Sequence, residues 1–436
     1  MPNADTLTPR EASHIATNAY FALKGWIDKE PVAGLETYAN VHNRVLGAGD
    51  AGRAQASGPN STLKGTGLAD ANLRSLHSGK TGFGTASGFG YTLTYKGGGL
   101  NHAIVAMRGT RPELGAPDLI TDLRAGMTSF GDYGAVHKGF KKTFESLVPS
   151  LERDHASIMK ADVVHCVGHS LGGAVATLVA GYYASRGKAV RLYTFGSPRV
   201  GALGAHNAFH ERIGKQNIYR VAHDLDPISL IGPYPYIHVN PAPHDTNNMT
   251  LPSPTGQLFS TANHDMAEYI RSVGDANMSW STVRGIAQQV DHDNAVLARW
   301  LLHGDNTPGW VQYASAKTLS ILFKLFSHAL RNVSTSLILG LTAVDLLAEM
   351  LVKGLYKAAQ LGQQVFTLLR YAAIWAGIKV VKGADFTAQI IKVILAKMLA
   401  TLQMLAMRSI ESAARNLLPL HIGIGGAWML HSYGVI

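Results

Sequence analysis

The residues with the clearest capacity for chemistry are Gly168-His169-Ser170-Leu171-Gly172. A serine between two glycines at this spacing can occupy a sharp turn from a strand into a helix, which exposes its hydroxyl as a nucleophile. The pentapeptide alone is weak evidence, because a chain with 46 glycines contains the pattern by chance roughly 0.3 times. Its surroundings add weight. Residues 162–167 predict a buried strand, and residues 171–186 predict a helix that ends at Gly187.

A serine hydroxyl reacts readily only when a histidine takes its proton, and that histidine needs a carboxylate to orient it. After a nucleophile in such a turn, the acid comes next along the chain and the histidine comes last. Asp224 and Asp226 follow a predicted strand, and His238 and His264 lie farther along on predicted loops. The residues by themselves leave two candidates for the acid and two for the base.

The elements that must position these side chains alternate along the chain. Apolar stretches predict strands within residues 88–99, 102–110, 162–170, 189–200 and 217–228. Amphipathic stretches between them predict helices, so we expect an α/β fold with parallel strands and crossover helices. At the N-terminus, Thr8, Pro9 and Glu11 predict a helix start with a capping box.

Six segments carry a resemblance to a known family: AMRGT, VHKGF, VGHSLGGAVATL, YTFGSPRVG, HDLDPIS and ANHDMAEYI, in that order. Over about residues 85–275 the chain resembles the class 3 lipases, the fungal-type group of triacylglycerol lipases and phospholipases A1. The resemblance implies an α/β-hydrolase fold and the hydrolysis of carboxylic esters. Met107, His223 and Ser229 depart from the family's common phenylalanine, asparagine and proline, and none of the three removes a catalytic atom.

The same resemblance implies a role for each matching residue. Ser170 would be the nucleophile, Asp226 the acid and His264 the base, which selects one candidate from each pair. Thr110 and the backbone amide of Leu171 would form the oxyanion hole. The turn around the nucleophile, called the nucleophile elbow, would comprise Gly168, His169 and Gly172.

Neither a metal nor another cofactor is expected. The nineteen histidines form no H-E-x-x-H motif, and the only cysteine, Cys166, cannot supply a cysteine-containing metal cluster. Cys166 lies within a predicted strand and is expected to be a small buried apolar residue. A single cysteine also excludes an intramolecular disulfide.

Composition divides the chain near residue 310. Twelve lysines and arginines but only four acids lie between residues 311 and 436, in a chain of net charge +10. We predict a lipase domain over residues 1–310, with core motifs at about 85–275, and a basic, apolar helical domain over 311–436. The second domain would dock on membranes or serve as a lid or partner-binding surface. Its structure stays open among an interfacial bundle on anionic lipid, a soluble domain packed over the lipase domain, and a membrane-inserting hairpin.

Together these features predict a serine ester hydrolase of membrane glycerolipids. A phospholipase A with an acyl-serine intermediate is favoured, since the basic third suits phospholipid better than neutral oil. The alternatives are a neutral acylglycerol lipase or esterase, a membrane-permeabilising toxin, and a non-catalytic scaffold with a hydrolase fold. Residues 111–134 or 240–263 would form a lid over the site.

The N-terminal residues predict no secretory signal peptide. We expect synthesis in the cytoplasm, a membrane-peripheral location and export by a signal-independent secretion system. A lipase of this kind with added apolar helices resembles the antibacterial lipase effectors of contractile secretion machines. The expected partners are a membrane phospholipid or other glycerolipid substrate, an anionic membrane surface and an immunity or chaperone protein, but no nucleic acid.

Overall fold

The computed structural model describes thirteen stretches of the chain and is built around two β-sheets. These stretches are residues 5–19, 72–78, 87–109, 126–232, 235–239, 247–255, 260–275, 277–303, 321–322, 325–326, 343–357, 359–379 and 386–417. The strands are β1 (Asn72–Ser78), β2 (Ser87–Gly97), β3 (Leu100–Met107), β4 (Met127–Ser129), β5 (Ala135–His137), β6 (Val163–His169), β7 (Ala189–Phe195), β8 (Ile218–His223) and β9 (Asn248–Leu251). The helices are α1 (Pro9–Asn18), α2 (Lys138–Met159), α3 (Leu171–Ala184), α4 (Leu203–Ile213), α5 (Met266–Val273), α6 (Trp280–His303), α7 (Ala343–Lys357), α8 (Ala359–Trp375) and α9 (Ala388–Leu417).

The larger sheet has seven strands in the order β1-β2-β3-β6-β7-β8-β9. Strands β1, β2 and β3 pair antiparallel, and β3, β6, β7, β8 and β9 pair parallel. The carboxyl ends of the five parallel strands therefore meet at one edge, where α/β sheets place their ligands. The predicted α/β fold is confirmed, and so is the capping box, in which the Thr8 hydroxyl and the Glu11 carboxylate each accept the other residue's backbone N–H.

Residues of β3, β6, β7 and β8 face two separate hydrophobic clusters, one on each side of the sheet. In β6, Val164 and Cys166 face the side covered by α2 and α3, whereas Val167 faces the side covered by α1 and α5. Every residue of β6 is buried, as a strand covered on both faces requires. Cys166 is fully buried, as predicted, and its burial raises the pKa of the thiol, so this sulfur stays protonated and unreactive.

Among the described residues of the basic part of the chain, α7, α8 and α9 are helices, in agreement with the helical pattern there. Their buried side chains join the same hydrophobic cluster that fills the α2 and α3 face of the sheet. Helix α9 packs on α7, on α8 and on the turn Thr261–His264, and Lys392 of α9 pairs with Asp345 of α7 at 2.7 Å. No helix within the described residues has the length and apolarity to span a membrane.

Two predictions fall partly outside the described residues. Of the segments predicted to form lids, 111–125, 240–246 and 256–259 are not described, whereas residues 248–251 of the second segment form β9 at the edge of the larger sheet. The division into domains near residue 310 also stays a prediction, because residues 304–320 are not described.

Substitution of Gly90 tests how closely the backbone of β2 packs against the end of β3. A Cβ at Gly90 would lie 1.9 Å from the Ala106 carbonyl oxygen, which belongs to backbone and cannot turn aside. We expect Gly90→Ala to lower the free energy of unfolding by about 1–3 kcal/mol through overpacking, measured from urea unfolding curves. Gly204→Ala is the matched control, since a Cβ there meets open space. Equal stability of the two variants would contradict this account of the β2–β3 contact.

Candidate active site

Ser170 occupies a strained turn between β6 and α3. Its backbone has φ 58° and ψ −133°, and no other non-glycine residue in the described stretches has a positive φ. Such a conformation costs on the order of 1–3 kcal/mol and persists only where surrounding contacts enforce it. Two of those contacts are hydrogen bonds, from Ser170 N to Phe195 O and from Gly173 N to Ser170 O, both 2.9 Å long.

The glycines on either side permit this turn by close backbone approach. A Cβ at Gly168 would lie 2.2 Å from the Gly172 carbonyl oxygen. A Cβ at Gly172 would lie 2.3 Å from the carbonyl oxygen of Met107 and 2.5 Å from that of Arg108. Since neither obstacle is a movable side chain, only glycine fits at the two positions, and the start of α3 is pressed against the end of β3.

Asp226 lies past the end of β8 with its carboxylate fully buried. Its Oδ2 accepts hydrogen bonds from His264 Nδ1 at 2.8 Å and from the Tyr269 hydroxyl at 2.6 Å, and its Oδ1 accepts the Ile228 N–H at 2.8 Å. Three donors offset the large cost of burying a carboxylate away from water. The carboxylate is therefore fixed in position and holds the His264 ring by its Nδ1–H.

Tyr269, on α5, ties the Asp226 carboxylate to the strand before it. Its hydroxyl donates to Asp226 and accepts the backbone N–H of His223 at 3.0 Å. Burial, with the neighbouring Asp226 charge, raises the pKa of Tyr269 well above its usual value, so the phenol stays protonated as this geometry requires. Its ring stacks on the His223 imidazole with centroids 4.0 Å apart.

Gly196 leaves the space in which these groups meet. It directly follows β7 and has φ +52°, and a Cβ there would lie 2.4 Å from Asp226 Oδ2. The same atom would lie 3.0 Å from both His264 Nδ1 and the Tyr269 hydroxyl. Any larger residue would push the aspartate, histidine and tyrosine apart.

His169 supports the histidine turn from the neighbouring strand end. Its Nε2 donates to the His264 carbonyl oxygen at 2.9 Å, and the two imidazole rings stack with centroids 4.5 Å apart. Burial chiefly, with a contribution from His264, lowers the pKa of His169 well below its usual value. The neutral His169 ring therefore links the residue before Ser170 to the turn Thr261–His264.

The base nitrogen of His264 is available for proton transfer. Because Nδ1 donates to Asp226, the neutral ring carries its lone pair on Nε2. This Nε2 is buried, and it forms no hydrogen bond with Ser170 or any other described residue. The structure thus brings Asp226 and His264 together beside the Ser170 turn, while the Ser170–His264 hydrogen bond is not formed.

Of the two residues implied for an oxyanion hole, the structure describes Leu171 but not Thr110. Leu171 is the first residue of α3, where backbone N–H groups lack partners within the helix and carry partial positive charge. Thr110 lies outside the described residues. Just before it, Arg108 is buried and donates to the Gly109 carbonyl oxygen at 2.8 Å, which braces the end of β3.

The competing acid and base have other partners. Asp224 Oδ1 accepts hydrogen bonds from the backbone N–H of Ser253 at 3.1 Å and from its hydroxyl at 2.7 Å. His238 Nε2 lies 3.0 Å from a guanidinium nitrogen of the buried Arg220. Within the described stretches, no group of three or more metal-ligating side chains could hold an ion.

Two residues of this arrangement were not singled out from the sequence. Tyr269 lies within the ANHDMAEYI segment, and Gly196 lies within YTFGSPRVG. A glycine placed directly after a predicted buried strand is a usable signal for close approach at the sheet edge. The position of Tyr269 in the sequence does not predict its role, because no spacing pattern indicates that α5 packs next to Asp226.

Removing the Tyr269 hydroxyl isolates its contribution to this network. Tyr269→Phe leaves the His223 N–H without its partner and takes one donor from the buried Asp226 carboxylate. We expect the free energy of unfolding to fall by about 1–3 kcal/mol, measured by urea denaturation. Tyr219→Phe is the control, because the Tyr219 ring stacks on Tyr193, and the donors to Asp226 are His264, Tyr269 and Ile228. A stability loss no larger than the control's would show that the hydroxyl contributes nothing.

Comparison with known proteins identifies the central segment. Residues 104–234 match the family described as Lipase (class 3). The "Secreted mono- and diacylglycerol lipase 1" of Fusarium solani is 36% identical over 111 residues, which is 24% of this chain and 33% of the relative. "Toxin TseL" of Vibrio cholerae is 38% identical over 117 residues, which is 25% of this chain and 17% of the relative. The chain thus spans a third or less of these curated relatives.

Among solved structures, the nonglycosylated LIP2 lipase of Yarrowia lipolytica aligns with 23% identity and a TM-score of 0.30, covering 49% of this chain and 78% of that one. The family match contains Ser170 and Asp226 and ends before His264. The resemblance stated from the sequence is thereby confirmed. The segment that carries the serine turn and the buried aspartate is therefore similar to the class 3 lipases.

Proposed function

We propose that this protein is a serine carboxylic ester hydrolase acting on membrane glycerolipids. The observation that carries the proposal is the buried Asp226–His264 pair, whose Nε2 is left without a hydrogen-bond partner among the described residues, beside the strained Ser170 turn. A neutral histidine with its lone pair free and a carboxylate behind it is the arrangement that general-base catalysis needs. The class 3 lipase segment supports an ester as the substrate.

The reaction begins with a rotation of the Ser170 side chain toward His264 Nε2. His264 takes the hydroxyl proton as Oγ attacks the ester carbonyl carbon, and Asp226 stabilises the imidazolium that forms. The Leu171 N–H, with Thr110, stabilises the oxyanion. The ester C–O bond breaks, the leaving alcohol takes the proton from His264, and an acyl-serine remains. Water then attacks this acyl group through the same base, which releases the fatty acid and restores Ser170.

The charge of the chain supports phospholipid as the lipid class, with phospholipase A as the activity. The twelve basic and four acidic residues after residue 310 favour an anionic surface. A neutral acylglycerol is the second candidate, because the Fusarium solani relative is named a mono- and diacylglycerol lipase. The match to a protein named as a toxin supports a role as an exported antibacterial effector, with an immunity protein as its partner.

Product analysis with Ser170→Ala tests the activity and the lipid class together. We incubate both proteins with vesicles of phosphatidylglycerol, phosphatidylethanolamine and diacylglycerol and identify the products by mass spectrometry. Wild type should release fatty acid and lysophospholipid, and the variant should be slower on the order of 10⁴-fold or more. Monoacylglycerol as the main product would instead assign a neutral lipase.

Two other results would overturn the proposal. Equal hydrolysis by the variant would exclude Ser170 as the nucleophile. The absence of any product from wild type would favour a binding scaffold. If, in addition, wild type and Ser170→Ala cause equal dye leakage from vesicles, a permeabilising toxin would be favoured instead.

The choice of acid and base is tested by paired substitutions. Asp226→Asn should reduce kcat on the order of 10⁴-fold, because the histidine would lose the acceptor that fixes its tautomer. Asp224→Asn is the matched control, since its Oδ1 accepts hydrogen bonds from Ser253, whereas His264 is held by Asp226. Its kcat should stay within about threefold of wild type. A larger loss for Asp224→Asn than for Asp226→Asn would reverse the assignment.

A further inference from the structure

We propose that the outward face of α9 is a docking surface for an anionic lipid bilayer. This surface is defined by Ile390, Val393, Lys397, Ala400, Met404 and Arg408, and we call it the α9 outer face. All six residues are exposed, and their spacing of three or four places them along one side of the helix. The proposal goes beyond hydrolysis, because it concerns where the protein binds and does not depend on Ser170.

The opposite side of α9 is firmly packed, so its outer face is held in a fixed direction. Five apolar side chains on that side are at most 1% exposed: Ile391, Ile394, Leu395, Met398 and Leu402. Helix α9 packs on α7 and α8, and it also lies against the turn Thr261–His264. The helix therefore has one face in the core and one face in solvent.

The outer face is more apolar than a solvent-facing helix surface should be. Val393 is 50% exposed, Met404 44% and Ile390 37%. On the neighbouring α8, Phe366 is 39% exposed and meets Phe386, just before α9, with ring centroids 5.5 Å apart. Six large hydrophobic side chains are markedly exposed in the described part of the chain, and four of them lie on α8 and α9, so the apolar exposure is concentrated there.

The charge of the same face selects an anionic bilayer as the occupant. Helix α9 has four basic side chains and one acidic one, Glu411. Lys392 is paired with Asp345, whereas Lys397 and Arg408 form no ion pair with any described residue. Apolar side chains with interspersed cations suit the boundary between acyl chains and anionic headgroups. Because α9 also touches the His264 turn, docking would bring the candidate active site close to the lipid.

Vesicle flotation of the full-length Ser170→Ala protein tests the surface without hydrolysis of the lipid. Vesicles contain phosphatidylcholine alone or phosphatidylcholine with one quarter phosphatidylglycerol. We expect binding to the anionic vesicles, with weaker binding at high salt. Val393→Asp with Met404→Asp should lower the partition coefficient about tenfold or more. Leu203→Asp, at a side chain 55% exposed on α4, is the matched control and should leave the coefficient nearly unchanged.

Far-UV circular dichroism checks whether the aspartate variant is folded. If it is not, a second pair of substitutions still tests the surface. Lys397→Gln with Arg408→Gln should weaken binding to anionic vesicles about fivefold for each charge removed and leave binding to phosphatidylcholine unchanged. Equal binding by both variants and the control would overturn the proposal. So would a dimer that the aspartate substitutions dissociate, because the occupant would then be a second copy. If wild type hydrolyses no lipid but these binding results hold, the docking surface stands while the proposed activity fails.

Discussion

The arrangement of the site depends on how closely three stretches of backbone approach one another at the carboxyl edge of the sheet. Gly172 brings α3 against the end of β3, and Gly168 lets β6 turn beneath the start of the same helix. Ser170, between these two glycines, has a positive φ. A strained conformation of this kind is stable only because parallel pairing with β3 and β7 fixes both sides of β6.

The same edge supports a buried polar network beside the turn. Asp226 follows β8, His264 lies in the turn after β9, and Tyr269 lies on α5. Side chains from two other elements therefore donate to the carboxylate that follows β8. Gly196 keeps the intervening space empty of side chain. In a low-dielectric interior, such a network is stable only when each polar group has a partner. The exception among these groups is His264 Nε2, and a buried base without a partner is a costly feature that a catalytic role would explain.

Much of this could be predicted from the sequence, and the limits have physical causes. The strand, turn and helix around Ser170 follow from local pattern, because apolar runs and glycine spacing act over a few residues. The residues alone could not choose between Asp224 and Asp226, since both follow β8 and only the direction of each side chain separates them. The role of Tyr269 and the contact of α9 with the His264 turn depend on tertiary packing between distant segments. No short-range pattern encodes those contacts.

The position of α9 in the chain has a consequence for the order of assembly. The strands that gather Ser170, Asp226 and His264 are all complete by residue 264, whereas α9 begins at Ala388. A chain synthesised from its N-terminus can therefore pair the five parallel strands, β3 and β6 to β9, before α9 leaves the ribosome. The histidine turn then gains its helical neighbour late. The order of these elements along the chain therefore allows the polar network to form before α9 packs on the histidine turn.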